Sequence, residues 1–312
     1  MEFMSQVRFI EVAEVYAGQR LDNFLLRELK GVPKTRIYKA LRKGEIRVNK
    51  GRVRGDYRVC DGDQVRIPPL RVAQQDTSTA VPRRWLGLLQ DHLLYEDAGL
   101  WVIDKPSGLA VHGGSGLSVG LIECLRRLCP DERYLELVHR LDRDTSGCIM
   151  IARAPGVLKA LHKQLREDQV DKRYLALVQG RWPAKRRIVE APLKKNTLQS
   201  GERMVRVDPE GKSARTEFSV VRRFDRATLV EARPITGRTH QIRVHAQRAG
   251  HPILGDSKYG DSDGNKQAAA LGLNRLFLHA ASLSLKLPER GQIKVTAPLD
   301  SVLESFLEKL SN

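Results

Sequence analysis

Two arginines and two aspartates fall within five positions, at Arg140, Asp142, Arg143 and Asp144, inside the stretch VHRLDRDTSG over residues 138–147. A carboxylate flanked by cations stays ionised, and an ionised carboxylate is a competent nucleophile or base. The same four residues also suit a salt-bridged turn with no chemistry. Spacing chooses neither between these readings nor between Asp142 and Asp144.

Four further segments carry polar residues that packing does not require. KPSGLAVH over 105–112 runs into Gly113-Gly114-Ser115-Gly116. A P-loop needs Gly, four residues and then Gly-Lys-Ser/Thr, and a dinucleotide site needs G-x-G-x-x-G opening a helix. Neither is present, so no nucleotide cofactor is expected and the glycines read as a turn. Lys172-Arg173-Tyr174 opens an apolar run, and Tyr174 offers either a flat face for a nucleobase or ordinary core packing. TGRTHQIRVH over 236–245 places Arg238 and Arg243 in apolar surroundings. An inward arginine needs an acid, which Asp142 or Asp144 could supply. His240 and His245 are five apart, so they do not share a helix face as metal ligands four apart would. GDSKYG over 255–260 reads as a polar loop.

Short apolar runs place these segments at strand ends. Residues 135–138 and 148–152 flank the charged stretch, which makes it a loop between two buried strands, where a rigid core can hold a carboxylate in place. Other strand-like runs cover 100–103, 174–178, 215–221, 227–232, 276–278 and 282–287. Helical patterns cover 121–128, 157–167, 239–249 and 301–310. This mixture predicts an α+β fold with a mixed, largely antiparallel sheet.

The N-terminal part reads differently. Leu21, Phe24, Leu25 and Leu29 share one face of a helix over 20–29. Pro33 suits the start of a second helix that ends at Gly44. On that helix Arg36, Lys39 and Lys43 recur at i, i+3 and i+7 as a basic stripe able to meet successive phosphates. Small strands follow. From Gln19 to Val72 there are 15 Lys/Arg against 6 Asp/Glu. Residues 73–84 are polar and aperiodic. The expected division is a small basic RNA-binding domain over 1–72, a linker over 73–91 and a larger domain over 92–312.

Whole-chain composition agrees. The 312 residues hold 54 basic and 37 acidic side chains, net +17, with a pI near 10. Such an excess points to a polyanion. No apolar run approaches the roughly 20 residues of a membrane span, and MEFMSQVRFI has no apolar signal core, so a cytoplasmic location is expected. Cys60, Cys124, Cys129 and Cys148 form no C-x-x-C pair and read as free thiols rather than disulfides or a zinc site.

HRLDRDTSG, KPSGLAVHGG, KRYLALVQG, TGRTHQIRVH and GDSKYG occur in positions and separations that resemble the RluA-type pseudouridine synthases. RLDNFL through KGEIRVNKGRV to DGDQVRIP resembles the small α-L type RNA-binding domain that many of them carry. The resemblance covers residue 18 to the C-terminus, and its specific part is HRLDRDTSG followed by TGRTHQIRVH. It implies isomerisation of uridine to pseudouridine within large-subunit (23S) ribosomal RNA, with the nucleotide flipped out and no cofactor or metal; nothing in the sequence suggests a dimer interface, so a monomer is expected. It assigns Asp142 as the essential aspartate, Tyr174 as the base-stacking ring and Arg243, ahead of Arg238, as the partner of the aspartate. Arg140 would help hold the RNA open. Asp104, where asparagine is frequent in the family, adds an acid nearby.

Two other functions fit parts of the pattern. A silent RNA-binding protein would use the same basic surface. A glycosidase-like hydrolase would need a second carboxylate across the scissile bond.

Overall fold

The computed structural model of the chain describes residues 6–29, 31–70, 81–113, 119–185, 188–197, 203–287 and 291–311. It divides into two units, Met1–Ala80 and Val81–Asn312.

The first unit contains β1 (Arg8–Glu11), α1 (Leu21–Glu28), α2 (Lys34–Lys43), β2 (Arg47–Val48), β3 (Gly51–Arg52) and β4 (Gln64–Ile67). Its four strands form one sheet in the order β1-β4-β2-β3. Leu21, Phe24 and Leu25 of α1 pack with Ile37, Ala40 and Leu41 of α2 in a small core. Pro33 caps α2 at its start, and Gly44 ends it in the left-handed conformation that glycine adopts freely. Both helices lie where the apolar spacing puts them.

The second unit runs α3 (Leu88–His92), β5 (Leu93–Glu96), β6 (Leu100–Lys105), α4 (Leu121–Leu128), β7 (Glu136–Leu137), β8 (Ser146–Ala152), α5 (Pro155–Arg166), β9 (Asp171–Gln179), β10 (Ile188–Glu190), β11 (Leu193–Thr197), β12 (Arg203–Val207), β13 (Arg215–Arg223), β14 (Ala227–Pro234), α6 (Gln241–Arg248), α7 (Ser262–Ala270), β15 (Leu278–Leu287), β16 (Gly291–Thr296) and α8 (Ser301–Lys309). The main sheet follows the order β10-β13-β14-β9-β15-β8-β6-β5, with β16 on β15 and β7 on β8. Its pairings are antiparallel except β15 with β8, which makes the fold the mixed, largely antiparallel α+β class the sequence predicts.

Three features differ from the sequence reading. Residues 276–278 and 282–287 are not two strands but belong largely to one, β15, with a register shift between His279 and Ser282 against β9. The helix α7 follows the polar loop 255–260 in a stretch to which no element was assigned; Asp261 caps it through the Gly264 N–H. Part of the expected linker over 73–91 belongs to the larger unit: Leu88 of α3 is buried in the main core. Residues 73–80 of that linker, and Gly114 to Gly116 of the glycine turn, lie outside the described residues. Among the described residues no helix is long and apolar enough to cross a membrane. All four cysteines are free, and burial pushes the Cys124 thiol up to about 11.

β8 is buried along its whole length, as a continuous apolar strand covered on both faces should be. Its parallel pairing with β15 relies on Gly147, whose φ is +103°; a Cβ there would stand 2.3 Å from the Ala280 carbonyl oxygen. Gly147→Ala is therefore expected to destabilise the fold by about 2 kcal/mol or more. The midpoint of guanidinium unfolding measures this, and an unchanged midpoint would contradict the close approach.

Candidate active site

Asp142 sits in the loop from β7 to β8, and KPSG buttresses that loop. Lys105 is fully buried and its Nζ donates to the carbonyls of Pro106, Leu109 and Arg143 at 2.9, 2.8 and 3.0 Å. Burial, then the Arg275 charge, pulls its pKa down to about 7. Three acceptors match the three N–H bonds of the ammonium form. Gly108 N–H donates to the Arg143 carbonyl and Ser107 Oγ to that of Asp144. The Met150 N–H donates to His139 Nε2, while burial draws that imidazole down to about 3, so it is neutral at physiological pH. The loop is thus pinned on two sides.

Its two aspartates face different surroundings. Asp144 pairs with Arg143 at 3.0 Å. Asp142 lines a cavity of about 670 Å³, together with Arg140, Tyr174, Arg238, His240 and Arg243. That size lies in the range of ordinary ligand pockets. The Asp142 side chain is 28% exposed; Oδ2 is 3.5 Å from Arg243 Nη1, and Oδ1 is 3.8 Å from His240 Nε2. Asp168 also lines the cavity.

Arg243 comes from α6, which is short, polar and yet buried from Gln241 to Ala246. Its side chain is 4% exposed. It donates from Nε and Nη2 to Asp256 Oδ2 and Oδ1, both at 2.7 Å. This corrects the expectation that Asp142 or Asp144 is the main acid for Arg243. The two short bonds go to Asp256, and Asp142 receives the remaining nitrogen at a longer distance. Burial opposes the charge on both partners. Mutual pairing, together with the Lys258 and Tyr259 N–H groups on Asp256, outweighs it, so the Arg243 pKa is raised and that of Asp256 lowered.

Tyr174 stands on β9 with its ring facing the cavity wall. Burial and then the Asp142 charge raise its phenol pKa, so it stays neutral. Arg140 and Arg238 are exposed at the cavity, and Arg238 Nε donates to the Ser213 carbonyl. In the first unit, Lys39 and Lys43 are exposed on α2, whereas Arg36 pairs with Glu45 at 2.8 Å. Asp104 stands apart from the cavity, with His279, His92, Asp300 and Arg275 around it, and burial raises its pKa. His245 is a buried structural residue between Thr216 and the Ala191 carbonyl. No cluster able to hold a metal occurs among the described residues.

Sequence reasoning missed Asp256, Tyr259 and His240. The available signal was GDSKYG: an acid directly after a glycine, near a helix carrying an inward arginine. Gly255 has φ +75° and passes the Arg275 carbonyl too closely for any Cβ, which turns Asp256 inward.

A carboxylate held beside a buried cation, at the wall of a nucleotide-sized cavity rimmed by arginines, defines a site for chemistry on an anionic polymer. The RNA pseudouridylate synthase family matches residues 99–248, and the S4 domain matches residues 19–65. Ribosomal large subunit pseudouridine synthase C of Escherichia coli (strain K12) is 54% identical over 310 residues, covering 98% of this chain and 97% of that protein. Its counterpart in Pasteurella multocida is 53% identical over 308 residues, covering 97% and 94%. The solved structure of human RNA Pseudouridylate Synthase Domain Containing 4 is 28% identical, with a TM-score of 0.61, and covers 73% of this chain and 96% of that one. The chain belongs to the RNA pseudouridylate synthase family and is an RNA pseudouridine synthase, with an S4 domain ahead of its synthase domain.

The Arg243–Asp256 pair carries a stability prediction. A carboxylate whose pKa is lowered by folding stabilises the protein above its unfolded value of about 3.9, and that gain is lost as pH falls through the native value. Asp256→Asn leaves Arg243 short of its main counter-charge and is expected to cost about 3–5 kcal/mol at pH 7. The gap to the unsubstituted protein should begin to narrow below about pH 4 and keep shrinking as pH falls toward the lowered native value. Urea unfolding at steps from pH 7 down to about pH 2 tests this; a gap that stays constant across the series would refute the charge argument.

Proposed function

We propose that the substrate is large-subunit ribosomal RNA, that selected uridines in it are isomerised in the cytoplasm by a single chain without a cofactor, and that Asp142 carries the chemistry. The observation that carries this reading is the Asp142 carboxylate lining the cavity 3.5 Å from Arg243. The names and near-complete coverage of the bacterial relatives support the choice of RNA.

The reaction is redox-neutral. The bond from ribose C1′ to uracil N1 breaks, the uracil turns while held, and C1′ bonds to C5. C5 then loses a proton and N1 gains one. No heavy atom of the nucleotide is lost, which fits a cavity offering charge and a ring face.

A stacked base cannot reach such a cavity, so the nucleotide must leave its helix at a cost of a few kcal/mol. Phosphate contacts offset that cost. Arg140 and Arg238, exposed at the cavity, are placed to make them there. Lys39 and Lys43 on the S4 helix can add contacts on the same strand of reasoning, and Arg36 less so because Glu45 holds it. Inside, Tyr174 stacks on the uracil, and Arg243 stands 3.5 Å from Asp142 as its neighbouring cation.

Asp142→Asn is expected to abolish pseudouridine formation, by at least about a thousandfold in rate, while leaving RNA binding within severalfold. Carbodiimide mapping of ribosomal RNA from cells with each form, beside a filter-binding assay, measures both. Full modification by the Asn variant would remove Asp142 from the chemistry. Replacing Lys39 and Lys43 together by Ala should weaken RNA binding and reduce the slope of log K against log salt by about 2. An unaltered slope would remove the S4 stripe from the interface.

A further inference from the structure

His240 lies outside every role given above, yet four observations converge on it. Its backbone has φ +53°, the left-handed region that residues with a Cβ seldom adopt, at the cap position of α6. Its Nδ1 is 2.7 Å from the Tyr259 hydroxyl. That hydroxyl accepts the Val205 N–H at 2.9 Å, from the β11–β12 hairpin. Its Nε2 is 3.8 Å from Asp142 Oδ1, on the opposite oxygen from Arg243.

We propose that His240 is a positioning residue for this reaction, fixed as its Nε2–H tautomer so that a neutral N–H donor stands beside the Asp142 carboxylate. The proposal rests on the reading of Asp142 given above.

The tautomer follows from counting hydrogens. A backbone N–H can only donate, so the Tyr259 oxygen accepts from Val205. Its own hydrogen then points to the remaining partner, His240 Nδ1, which must be bare. In the other tautomer the hydroxyl would accept twice, and its hydrogen would have no acceptor among the described residues, in a tyrosine only 3% exposed. Burial, with the Arg243 charge adding to it, outweighs the pull of Asp142 and keeps the imidazole neutral.

The consequence is one donor for each carboxylate oxygen: Arg243 for Oδ2 and His240 for Oδ1. A distance of 3.8 Å is too long for a hydrogen bond, and a small turn of either side chain closes it. His240 therefore sets which way the carboxylate presents its lone pairs to the nucleotide. Tyr259 sets His240 in turn, in the way an outer partner fixes the tautomer of a site histidine.

The full-length protein labelled with ¹⁵N-histidine tests this directly. Long-range proton–nitrogen spectra separate bare from protonated ring nitrogens, and the His240→Gln spectrum identifies the signals of His240. A bare Nδ1 with a protonated Nε2 is expected. Tyr259→Phe should turn the signal into a tautomer mixture and lower kcat about tenfold with little change in KM. In the His240→Gln background, where the amide supplies its own N–H, adding Tyr259→Phe should produce no further loss. A protonated Nδ1, or equal losses from Tyr259→Phe in both backgrounds, overturns the proposal. Retained activity in Asp142→Asn would instead remove the role of Asp142 and leave the tautomer result standing.

Discussion

One buried guanidinium organises this site. Arg243 is shielded from water almost completely and has carboxylates on two sides. A lone buried cation would cost several kcal/mol, so it must be paired. How the pairing is divided decides what Asp142 can do. If Asp142 took both short bonds, it would be locked as a structural ion pair with its lone pairs occupied. Asp256 takes them instead, at 2.7 Å each, and accepts two backbone N–H groups besides. Asp142 is left at 3.5 Å, beside the cation without being locked to it. Under the role proposed for Asp142, the structural load and the chemical task fall on different carboxylates.

The rest of the larger unit serves this division. β8 and β7 carry the loop that presents Asp142, and Lys105 ties that loop to the turn after β6 through three carbonyls. β9 supplies Tyr174 from the middle of the same sheet, next to β15 and β14. α6 brings Arg243 in from one side, and the loop of Asp256 and Tyr259 closes behind it. Groups on rigid strands and on the buried turns of α6 stay within the small tolerances that catalytic geometry demands. Tyr259 adds a link: its ring lies against Arg243 and its hydroxyl joins His240 to the hairpin.

Much of this was legible in the sequence because the determining pattern was local. Apolar spacing marked α1 and α2, and Gly44 marked the end of α2. The unbroken apolar run 148–152 marked a central strand. The clustered charges of residues 140–144 marked a loop worth attention. What could not be read was which charge faces which. Asp142 and Asp144 are chemically alike and two residues apart, and strand-loop geometry alone sends one into the cavity and leaves the other on Arg143. The Arg243–Asp256 pair joins residues 13 apart across a turn, with no periodicity to betray it. Lys105 reads in the sequence as a polar residue that packing does not require, because a buried lysine is rare; only the three carbonyls around it explain its place. The long strand β15 looked like two because its bulge interrupts the alternation that identifies a strand.

The net charge acquires meaning from where the acids go. On the sheet, Arg173, Arg233 and Arg215 of β9, β14 and β13 are each matched by Asp171, Glu231, Glu217 or Glu190 in a ladder across the strands. Such exposed pairs contribute little to stability, but they cancel the field over that face. At the cavity the arrangement differs. Arg140 and Arg166 pair with no carboxylate among the described residues, and Arg238 meets only a carbonyl. These arginines stand at the cavity, where under the proposed function a phosphate chain would pass to deliver a nucleotide to Asp142. That placement also limits the penalty for flipping, because the phosphates on either side of an extruded residue gain contacts at the moment the base loses its stack.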